Sequence, residues 1–413
     1  MIDPLRCGQS RDHPSGGVSD SVTAGQPAWD GLRELQSSRP GSILIAMDTF
    51  KGSIDAKDAV AAIAGGLRTA GPQLKIAECP IADGGEGTVA AALRADYEPR
   101  SVAVTGPLGE TVTARYAVRG RDAVLEASSA CGLGLVGAVP TPDSARRSSS
   151  FGVGELIRAA VEGGARHITI GVGGTASTDG GAGLASALGL KCLDGDGQPL
   201  QAGGVALQRM CRLDTAGLLA ADAVGLVAAV DVQSPLYGAR GAALTFAKQK
   251  GALDQDALAL DRGLRRWAEL ISNATGADIA QRSGMGAGGG IPFALAAIFG
   301  ARIMVGAEFI FELANLEGAL ASAAVVITGE GSLDSQSLEG KGPVYVSRLA
   351  MARGIPAIAV VGRNLLTPWE ARSNGIHHTL SLSDLEPDPA RSISEAAALL
   401  RRFGYLIGTA MPS

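Results

Sequence analysis

The sequence has few aromatic residues and no excess of positive charge. Phe, Trp and Tyr make up 4% of the 413 residues, and the formal net charge at pH 7 is −5. A nucleic acid or an anionic membrane binds to a protein face on which basic residues are concentrated. We therefore expect neither a nucleic acid nor a membrane as a partner, and we expect cores of Ala, Val, Ile and Leu.

Cysteine motifs and long apolar segments are also missing. The five cysteines are odd in number and show no CxxC spacing, so the sequence predicts neither a disulfide framework nor a zinc site. The longest uncharged run, residues 283–301, is rich in glycine and contains Pro292, which argues against a membrane span. Residues 1–40 lack the apolar centre of a signal peptide, and we expect a disordered extension there. These absences favour a soluble, cytoplasmic protein.

Several familiar catalytic signatures do not occur. There is no GxxxxGK[ST], because Lys341 is followed by Gly342, and there is no HRD, DFG or GxSxG motif. The sequence therefore does not indicate a P-loop enzyme, a protein kinase or a serine hydrolase. It does contain 58 glycines, which cluster in short stretches. Such clustering is typical of an enzyme with many backbone-lined loops.

Apolar runs alternate with helical patterns at both ends of the chain, which predicts parallel β-α units. Residues 101–126 alternate apolar and polar side chains around glycine turns, as in an antiparallel meander. We expect an α/β fold in which a second α/β domain, residues 100–305, is inserted into a doubly wound parallel-sheet domain. Residues 41–99 and 306–413 would form that first domain, and a cleft between the domains would be the default ligand site.

Acidic residues recur where predicted strands end in glycine loops. In parallel sheets these ends meet at one edge, so the acids should converge, which is costly unless a cation neutralises them. Magnesium with a nucleotide phosphate would supply that cation. Lys51 and the residues of these loops are candidate parts of a phosphoryl-transfer site. The acids are Asp48, Asp83, Glu86, Asp179, Asp231, Glu330 and Asp334.

The stretch GVGGTASTDGGAG, residues 171–183, permits a second interpretation. Gly171, Gly173 and Ala176 match the pattern GxGxx[GA] of a dinucleotide site, and Asp194 lies about twenty residues further on. This pattern would indicate an NAD-dependent dehydrogenase. An argument against it is that the carboxylate of Asp179 would face the negatively charged pyrophosphate of the dinucleotide. A metabolite-binding regulator without catalytic activity is a third alternative. Arg240 and Lys250 could bind a carboxylate or phosphate, or could lie on a solvated face.

Six motifs, taken in order, resemble the bacterial glycerate kinase family from about Ser42 to near the C-terminus. They are AMDTFKGS, PIADGGEGT, GVGGTASTDGGAG, AAVDVQSPLYGARGAALTFAKQKGA, GMGAGGG and ITGEGSLDSQSLEGK. The resemblance implies a two-domain α/β fold with one domain inserted, and an enzyme that uses ATP, Mg²⁺ and glycerate, with 2-phosphoglycerate as the usual product. A homodimer is left open.

The resemblance extends to individual residues. Residues that match or lie within the motifs, and that we expect to bind substrate or nucleotide, are Asp83, Gly84, Gly85, Glu86, Gly173, Gly174, Thr175, Gly180, Gly181, Glu330 and Asp334. The family commonly has other residues at four positions, namely Pro at Met47, Asn at Thr178 and Ser234, and Arg at Ser332. The last change removes one candidate partner for an anion.

Our hypothesis for catalysis assigns a role to each of four candidates. Lys51 would neutralise charge on glycerate or on the γ-phosphoryl group, and Asp48 lies in the same motif. The loop 173–181 and Mg²⁺ would hold the phosphates of ATP. Asp179 or Asp231 would orient the glycerate hydroxyl, and the same two acids are the candidate metal ligands; the sequence does not separate these roles.

Overall fold

The computed structural model describes residues 41–81, 87–220, 224–339 and 342–411. The predicted extension at residues 1–40 and the predicted site residues Asp83, Gly84, Gly85 and Glu86 lie outside these ranges.

The first sheet is parallel throughout, and we call it the parallel sheet. Its strands lie in the spatial order β15-β13-β11-β1-β2. Chain order therefore reverses between β1 and β11, so this is a doubly wound sheet with a topological switch point there. The strands are β1 (Ser42–Met47), β2 (Ile76–Glu78), β11 (Ala323–Gly329), β13 (Ala357–Val361) and β15 (Ile376–Ser381).

The second sheet, here called the mixed sheet, has the order β10-β9-β6-β5-β4-β3. Strands β5, β6, β9 and β10 are parallel to one another. Strands β3, β4 and β5 form the antiparallel meander that the sequence predicted. The strands are β3 (Glu98–Thr105), β4 (Thr111–Arg119), β5 (Asp122–Glu126), β6 (His167–Gly171), β9 (Gly225–Val230) and β10 (Arg302–Val305). Two short pairs join β7 (Lys191–Leu193) to β8 (Arg212–Asp214) and β12 (Ser332–Leu333) to β14 (Arg363–Asn364).

Helices cover both sheets. They are α1 (Ala56–Ala70), α2 (Thr88–Arg94), α3 (Ala127–Cys131), α4 (Pro142–Arg147), α5 (Phe151–Glu162), α6 (Ala182–Ala187), α7 (Ala242–Phe246), α8 (Asp254–Thr275), α9 (Ile291–Phe299), α10 (Gly306–Leu313), α11 (Leu316–Ala321), α12 (Gly342–Ala352), α13 (Pro368–Ser373), α14 (Leu382–Leu385), α15 (Pro389–Ser394) and α16 (Ala396–Ala410). In the part of the chain that is described, no helix is both long and apolar enough to cross a membrane.

Strand β1 shows why the parallel sheet is covered on both faces. Successive side chains of a strand point to opposite faces. Ile45 and Met47 belong to a core that includes residues of α1 and α16, while Leu44 and Ala46 belong to another with residues of α11 and α12. All four side chains are fully buried, which explains the continuous apolar run in the sequence. The predicted α/β class with parallel sheets is confirmed.

Helix α2 contributes to a different core from that of α1. Val89 and Ala92 of α2 pack with Ala117 and Val124 of the mixed sheet and with Phe309 of α10. The start of α2 is thus held against the mixed sheet, although the strand that precedes it in the chain, β2, belongs to the parallel sheet. The domain boundaries at residues 99 and 306 stay a prediction.

Candidate active site

The switch point of the parallel sheet places two of the predicted acids side by side. Met47 and Gly329 end the adjacent strands β1 and β11, and Asp48 and Glu330 follow them directly. The backbone N–H of Asp48 donates to the carbonyl oxygen of Gly329 at 2.8 Å, which joins the two strand ends. In doubly wound sheets the ligand binds in the crevice outside such a pair of strand ends.

A cavity of about 610 Å³ opens at this crevice, and we call it the Lys51 cavity. Lys51 itself is exposed, whereas Asp48 is buried and accepts a hydrogen bond from the backbone N–H of Thr49 at 2.6 Å. The structure therefore brings together four residues that the sequence had singled out separately. These four wall residues are Asp48, Lys51, Glu330 and Asp334.

Arg363 is a wall residue of the Lys51 cavity that sequence reasoning missed. Its guanidinium Nε donates to the hydroxyl of Ser332 at 3.0 Å, so a positive charge lies beside the position at which the resemblance would expect an arginine. The sequence did contain a signal for Arg363, because this residue comes two positions after the buried apolar strand β13, just as the predicted acids come shortly after apolar strands.

The opening part of the glycine stretch forms a second cavity, of about 160 Å³, at the carboxyl edge of the mixed sheet. We call it the Lys250 cavity. Its walls include Gly173, Gly174, Thr175, Asp231, Lys250 and residues 287–289. The loop is fixed by backbone hydrogen bonds from Leu133 to Gly174 and from Ala176 to Cys131, at 2.9 and 2.8 Å. Asp231 is exposed, directly after strand β9.

Lys250 is buried, with 5% of its surface exposed. Its ammonium donates to the carbonyl oxygen of Ser177 at 2.7 Å. Burial lowers the pKa of Lys250 to about 8, and the nearby Cys131 and Asp179 oppose this shift. Burial also raises the pKa of the Cys131 thiol to about 11. The other lysine of this segment, Lys248, is exposed and pairs with Asp254 at 2.6 Å.

Asp179 has a full set of hydrogen-bond partners within its own loop and at the start of helix α5, and its predicted role as a base or a metal ligand stays a prediction. Asp179 is 1% exposed, and its Oδ2 accepts the backbone N–H and the hydroxyl of Ser150, at 2.8 and 2.9 Å. The N–H groups of Gly181 and Gly183 donate to the same carboxylate at 3.1 and 3.3 Å. Burial raises the pKa of Asp179, and these hydrogen bonds oppose the rise. Since a carboxylate offers about four acceptor sites, this one already has its partners and organises the loop.

Gly180 and Gly181 pack closely against two helices, and their predicted binding of the nucleotide stays a prediction. Both have positive φ, 65° and 76°, and a Cβ on Gly180 would lie 2.5 Å from the Trp267 ring. The indole N–H of Trp267 donates to the carbonyl oxygen of Gly180 at 2.9 Å. A Cβ on Gly181 would lie 2.5 Å from the Cβ of Ala294. Glycine is needed here because helices α8 and α9 approach the loop closely.

The segment of Asp83 and Glu86 lies outside the described residues, but its flanks are well fixed. The backbone N–H of Ile81 donates to the carbonyl oxygen of Met47 at 2.9 Å. On the other side, the backbone N–H of Val89 donates to Oε1 of Glu126, the last residue of β5, at 2.9 Å. Sequence reasoning missed Glu126, since no glycine motif surrounds it; an acid at the end of an apolar strand was the only signal.

The structure does not build a dinucleotide site on the glycine stretch. Helix α6 begins at Ala182, eleven residues after strand β6 ends, so its N-terminus does not follow Gly171 and Gly173, the glycines of the dinucleotide pattern, as a pyrophosphate site requires. Asp194, the proposed ribose ligand, instead closes a turn by accepting the N–H groups of Asp196 and Gln198 at 3.0 and 2.9 Å.

The positions of the carboxylates decide how a divalent metal ion could be bound. Among the residues that the structure describes, no three His, Cys, Asp or Glu side chains are grouped closely enough to hold a metal ion. Mg²⁺, however, is commonly bound by one or two carboxylates together with substrate phosphates. Asp48, Glu330 and Asp334 provide carboxylates on the walls of the Lys51 cavity, which is compatible with that mode of binding.

Comparison with known proteins decides the family. The sequence profile of the glycerate kinase family matches residues 43–411. The chain belongs to the glycerate kinase family. Among its relatives, the glycerate 2-kinase of Escherichia coli K12 is 41% identical over 325 residues, which are 78% of this chain and 84% of that protein. The glycerate kinase of Halalkalibacterium halodurans is 38% identical over 328 residues, 78% of this chain and 85% of the relative.

A solved structure agrees with this membership. A crystal structure assigned to glycerate kinase 2 of Salmonella typhimurium LT2 superimposes with a TM-score of 0.75 at 36% identity, covering 90% of this chain and 98% of that one. The chain is thus a kinase of the glycerate kinase family with the two-domain α/β fold that the sequence predicted. Of the four catalytic candidates in this kinase, Asp48 and Lys51 line the Lys51 cavity and Asp231 lines the Lys250 cavity, whereas Asp179 lines neither of them.

Proposed function

We propose that this kinase transfers the γ-phosphoryl group of ATP to a hydroxyl of D-glycerate, with Mg²⁺, and that the product is 2-phosphoglycerate. The observation that carries the proposal is the convergence of Asp48, Lys51, Glu330 and Asp334 on one cavity at the switch point of the parallel sheet. Phosphoryl transfer needs cations for the phosphate charge and carboxylates for a metal and a proton. Family membership supports glycerate as the acceptor.

The Lys51 cavity is the proposed site of the nucleotide. Its volume of about 610 Å³ lies in the usual range for sites of small organic ligands, about 300 to 1,000 Å³. Lys51 and Arg363 offer positive charge to the phosphates from opposite parts of the chain. Arg363 presents a planar guanidinium that suits phosphate oxygens, while Lys51 is a flexible point charge suited to a group that moves.

In the proposed reaction, the glycerate hydroxyl oxygen forms a bond to the γ-phosphorus of ATP. The bond from that phosphorus to the β,γ-bridging oxygen breaks, and ADP leaves with the electron pair. The hydroxyl proton passes to a carboxylate and then to water. With Asp179 already hydrogen-bonded on both oxygens, Asp231 is the first candidate to accept the proton, because it is exposed at the carboxyl end of β9. Mg²⁺, when bound, would neutralise charge on the phosphates.

A direct assay tests the proposal. The purified protein would be incubated with ATP, Mg²⁺ and D-glycerate, ADP would be measured by a coupled assay, and the product would be identified by ³¹P and ¹H NMR. We expect ADP formation that depends on D-glycerate, and phosphate on the 2-hydroxyl. Lys51→Ala should reduce kcat/KM at least 100-fold, whereas Arg100→Ala, an exposed arginine on β3, should not change it.

Parallel measurements of ligand binding and of NAD reduction separate the alternatives. Phosphate on the 3-hydroxyl would contradict the proposed product but not the proposed phosphoryl transfer from ATP to glycerate. Binding of ATP or glycerate without turnover would indicate a regulator, and reduction of NAD with a hydroxy acid would indicate a dehydrogenase. We further propose that the reaction takes place in the cytoplasm, since the cysteines of the described ranges are all unpaired. Cell fractionation with activity measured in each fraction would test this location.

A further inference from the structure

The Lys250 cavity contains a buried cation that the proposed reaction has not yet used. The Lys250 side chain is 5% exposed and lines the cavity, and its ammonium has one hydrogen bond in the described part of the chain, to the carbonyl oxygen of Ser177 at 2.7 Å. An ammonium has three donors. A buried charge is costly unless it is paired. Asp179 lies near Lys250 but accepts its hydrogen bonds from other groups, so the unused donors of Lys250 favour an anionic ligand in the cavity.

Thr175 gives a second, independent indication of a ligand. It is 3% exposed and forms part of the same wall, and its hydroxyl oxygen has no hydrogen-bond partner within the residues that the structure describes. A buried hydroxyl without a partner loses roughly 1 to 3 kcal/mol of solvation, so such groups in native proteins ordinarily meet a ligand or a water. A carboxylate oxygen would accept from both Thr175 and Lys250.

Asp231 provides a hydrogen-bond acceptor on the wall of the same cavity, where Lys250 and Thr175 provide donors. Its carboxylate accepts hydrogen bonds and cannot donate them at neutral pH, so it would attract a hydroxyl and repel an anion. Lys250 is buried while Asp231 is exposed, so the cation lies deeper in the cavity than the carboxylate. A small molecule with a carboxylate at one end and a hydroxyl beside it matches this order of groups.

We propose that the Lys250 cavity binds the hydroxy-acid substrate, with Lys250 and Thr175 holding its carboxylate and Asp231 accepting a hydrogen bond from its hydroxyl. This inference rests on the proposed function and assigns the acceptor to one of the two cavities. The volume supports that assignment, because about 160 Å³ is below the usual size of a nucleotide-sized site, while the Lys51 cavity is several times larger. It differs from the sequence hypothesis, in which the loop 173–181 held the phosphates of ATP.

The test compares Lys250→Met and Thr175→Val with Lys248→Met as a matched control. Lys248 is two residues from Lys250, but it is exposed and pairs with Asp254. We expect Lys250→Met to raise KM for D-glycerate by about 10- to 100-fold, the loss of one hydrogen bond to a charged group, and Thr175→Val to raise it by about 5-fold. KM for ATP should change less than twofold in both variants, and Lys248→Met should match the wild type.

A change in KM for ATP with an unchanged KM for D-glycerate would overturn the assignment and place nucleotide phosphates in this cavity. Calorimetry keeps the test independent of turnover: the wild type should bind D-glycerate more tightly than glycerol, which lacks the carboxylate, and Lys250→Met should lose that preference. If the wild type shows the preference but no turnover, the proposed function fails while the cavity assignment stands. If Lys250→Met keeps the preference, the assignment fails.

Discussion

Ser150 donates both its backbone N–H and its hydroxyl to one oxygen of Asp179, a residue 29 positions further along the chain. This pairing joins the residue just before helix α5 to the loop before helix α6, and the Ser150 hydroxyl also accepts the N–H of Leu184 at 3.0 Å. The acid in the middle of the glycine stretch is therefore a structural centre, around which the loop and two helices are arranged.

Asp179→Asn should lower the free energy of unfolding. The amide nitrogen of Asn would face N–H groups whose hydrogen bonds the carboxylate now accepts. The free energy of unfolding should fall by about 2 kcal/mol, the scale of a lost buried hydrogen bond to a charged group. Urea unfolding followed by circular dichroism would measure it. Asp194→Asn is the control, because Asp194 is a half-buried turn residue whose carboxylate also accepts two backbone N–H groups. Normal stability with lost turnover would restore the catalytic role.

Gly180→Ala should be far more destabilising than Gly276→Ala. Both glycines have positive φ, 65° and 74°, so each alanine incurs about 1 to 2 kcal/mol of backbone strain. At Gly180 the new methyl would also lie 2.5 Å from the Trp267 ring, whereas no described atom lies within 4 Å at Gly276. We expect losses of about 4 and about 1 kcal/mol in urea unfolding. Equal losses would mean that Trp267 does not restrict the loop.

Lys250→Met should change how stability depends on pH. The folded protein releases the Lys250 proton near pH 8, while the unfolded chain keeps it to about pH 10.4. Between these values the unfolded state binds more protons, so raising the pH favours the folded wild type. Relative to Lys250→Met, the wild type should gain up to about 3 kcal/mol between pH 7 and pH 10.5.

The comparison cancels most other titrating groups. The titratable groups that interact with Lys250 are Cys131 and Asp179, and Asp231 lines the same cavity. Cys131 stays neutral below about pH 11, so it does not reverse the sign. At pH 7 the methionine variant should be at least as stable as the wild type, because it removes a buried charge. A wild type that loses stability relative to the variant as the pH rises would contradict the depressed pKa.

Glu126→Ala should loosen the start of helix α2. The backbone N–H of Val89 would lose its acceptor, and hydrogen exchange at residues 88–91 should become about 5-fold faster, corresponding to roughly 1 kcal/mol. Glu126→Gln is the control, since its amide oxygen can still accept that hydrogen bond. Exchange that is equally fast in both variants would assign the effect to the charge of Glu126 and not to the hydrogen bond.

The fold was readable from the sequence because burial on both faces leaves a clear mark. The run from Ile43 to Met47 is fully apolar, as a doubly covered parallel strand requires, and the acid after it was correctly placed at a strand end. The same rule located Glu330 and Asp231. The placement of each of these acids depends only on local sequence, since a strand ends where its apolar run stops.

The burial and the contacts of Asp179 and Lys250 could not be predicted in this way. What distinguishes Asp179 from Asp48 is its contact with Ser150, and that contact exists only after helix α5 has packed against α6. Lys250 looks in the sequence like its neighbour Lys248, yet one is buried and the other exposed. Burial of a charged side chain is decided by tertiary packing, which leaves no periodic signal in the neighbouring residues.

The two anchors on either side of residues 82–88 limit how far the enzyme can open. Ile81 is hydrogen-bonded to Met47 at the edge of the parallel sheet, and Val89 to Glu126 at the edge of the mixed sheet. Eight residue steps span at most about 29 Å even when fully extended. While both hydrogen bonds hold, the ends of strands β1 and β5, and with them the two sheets, stay within that distance of each other in any motion of the protein.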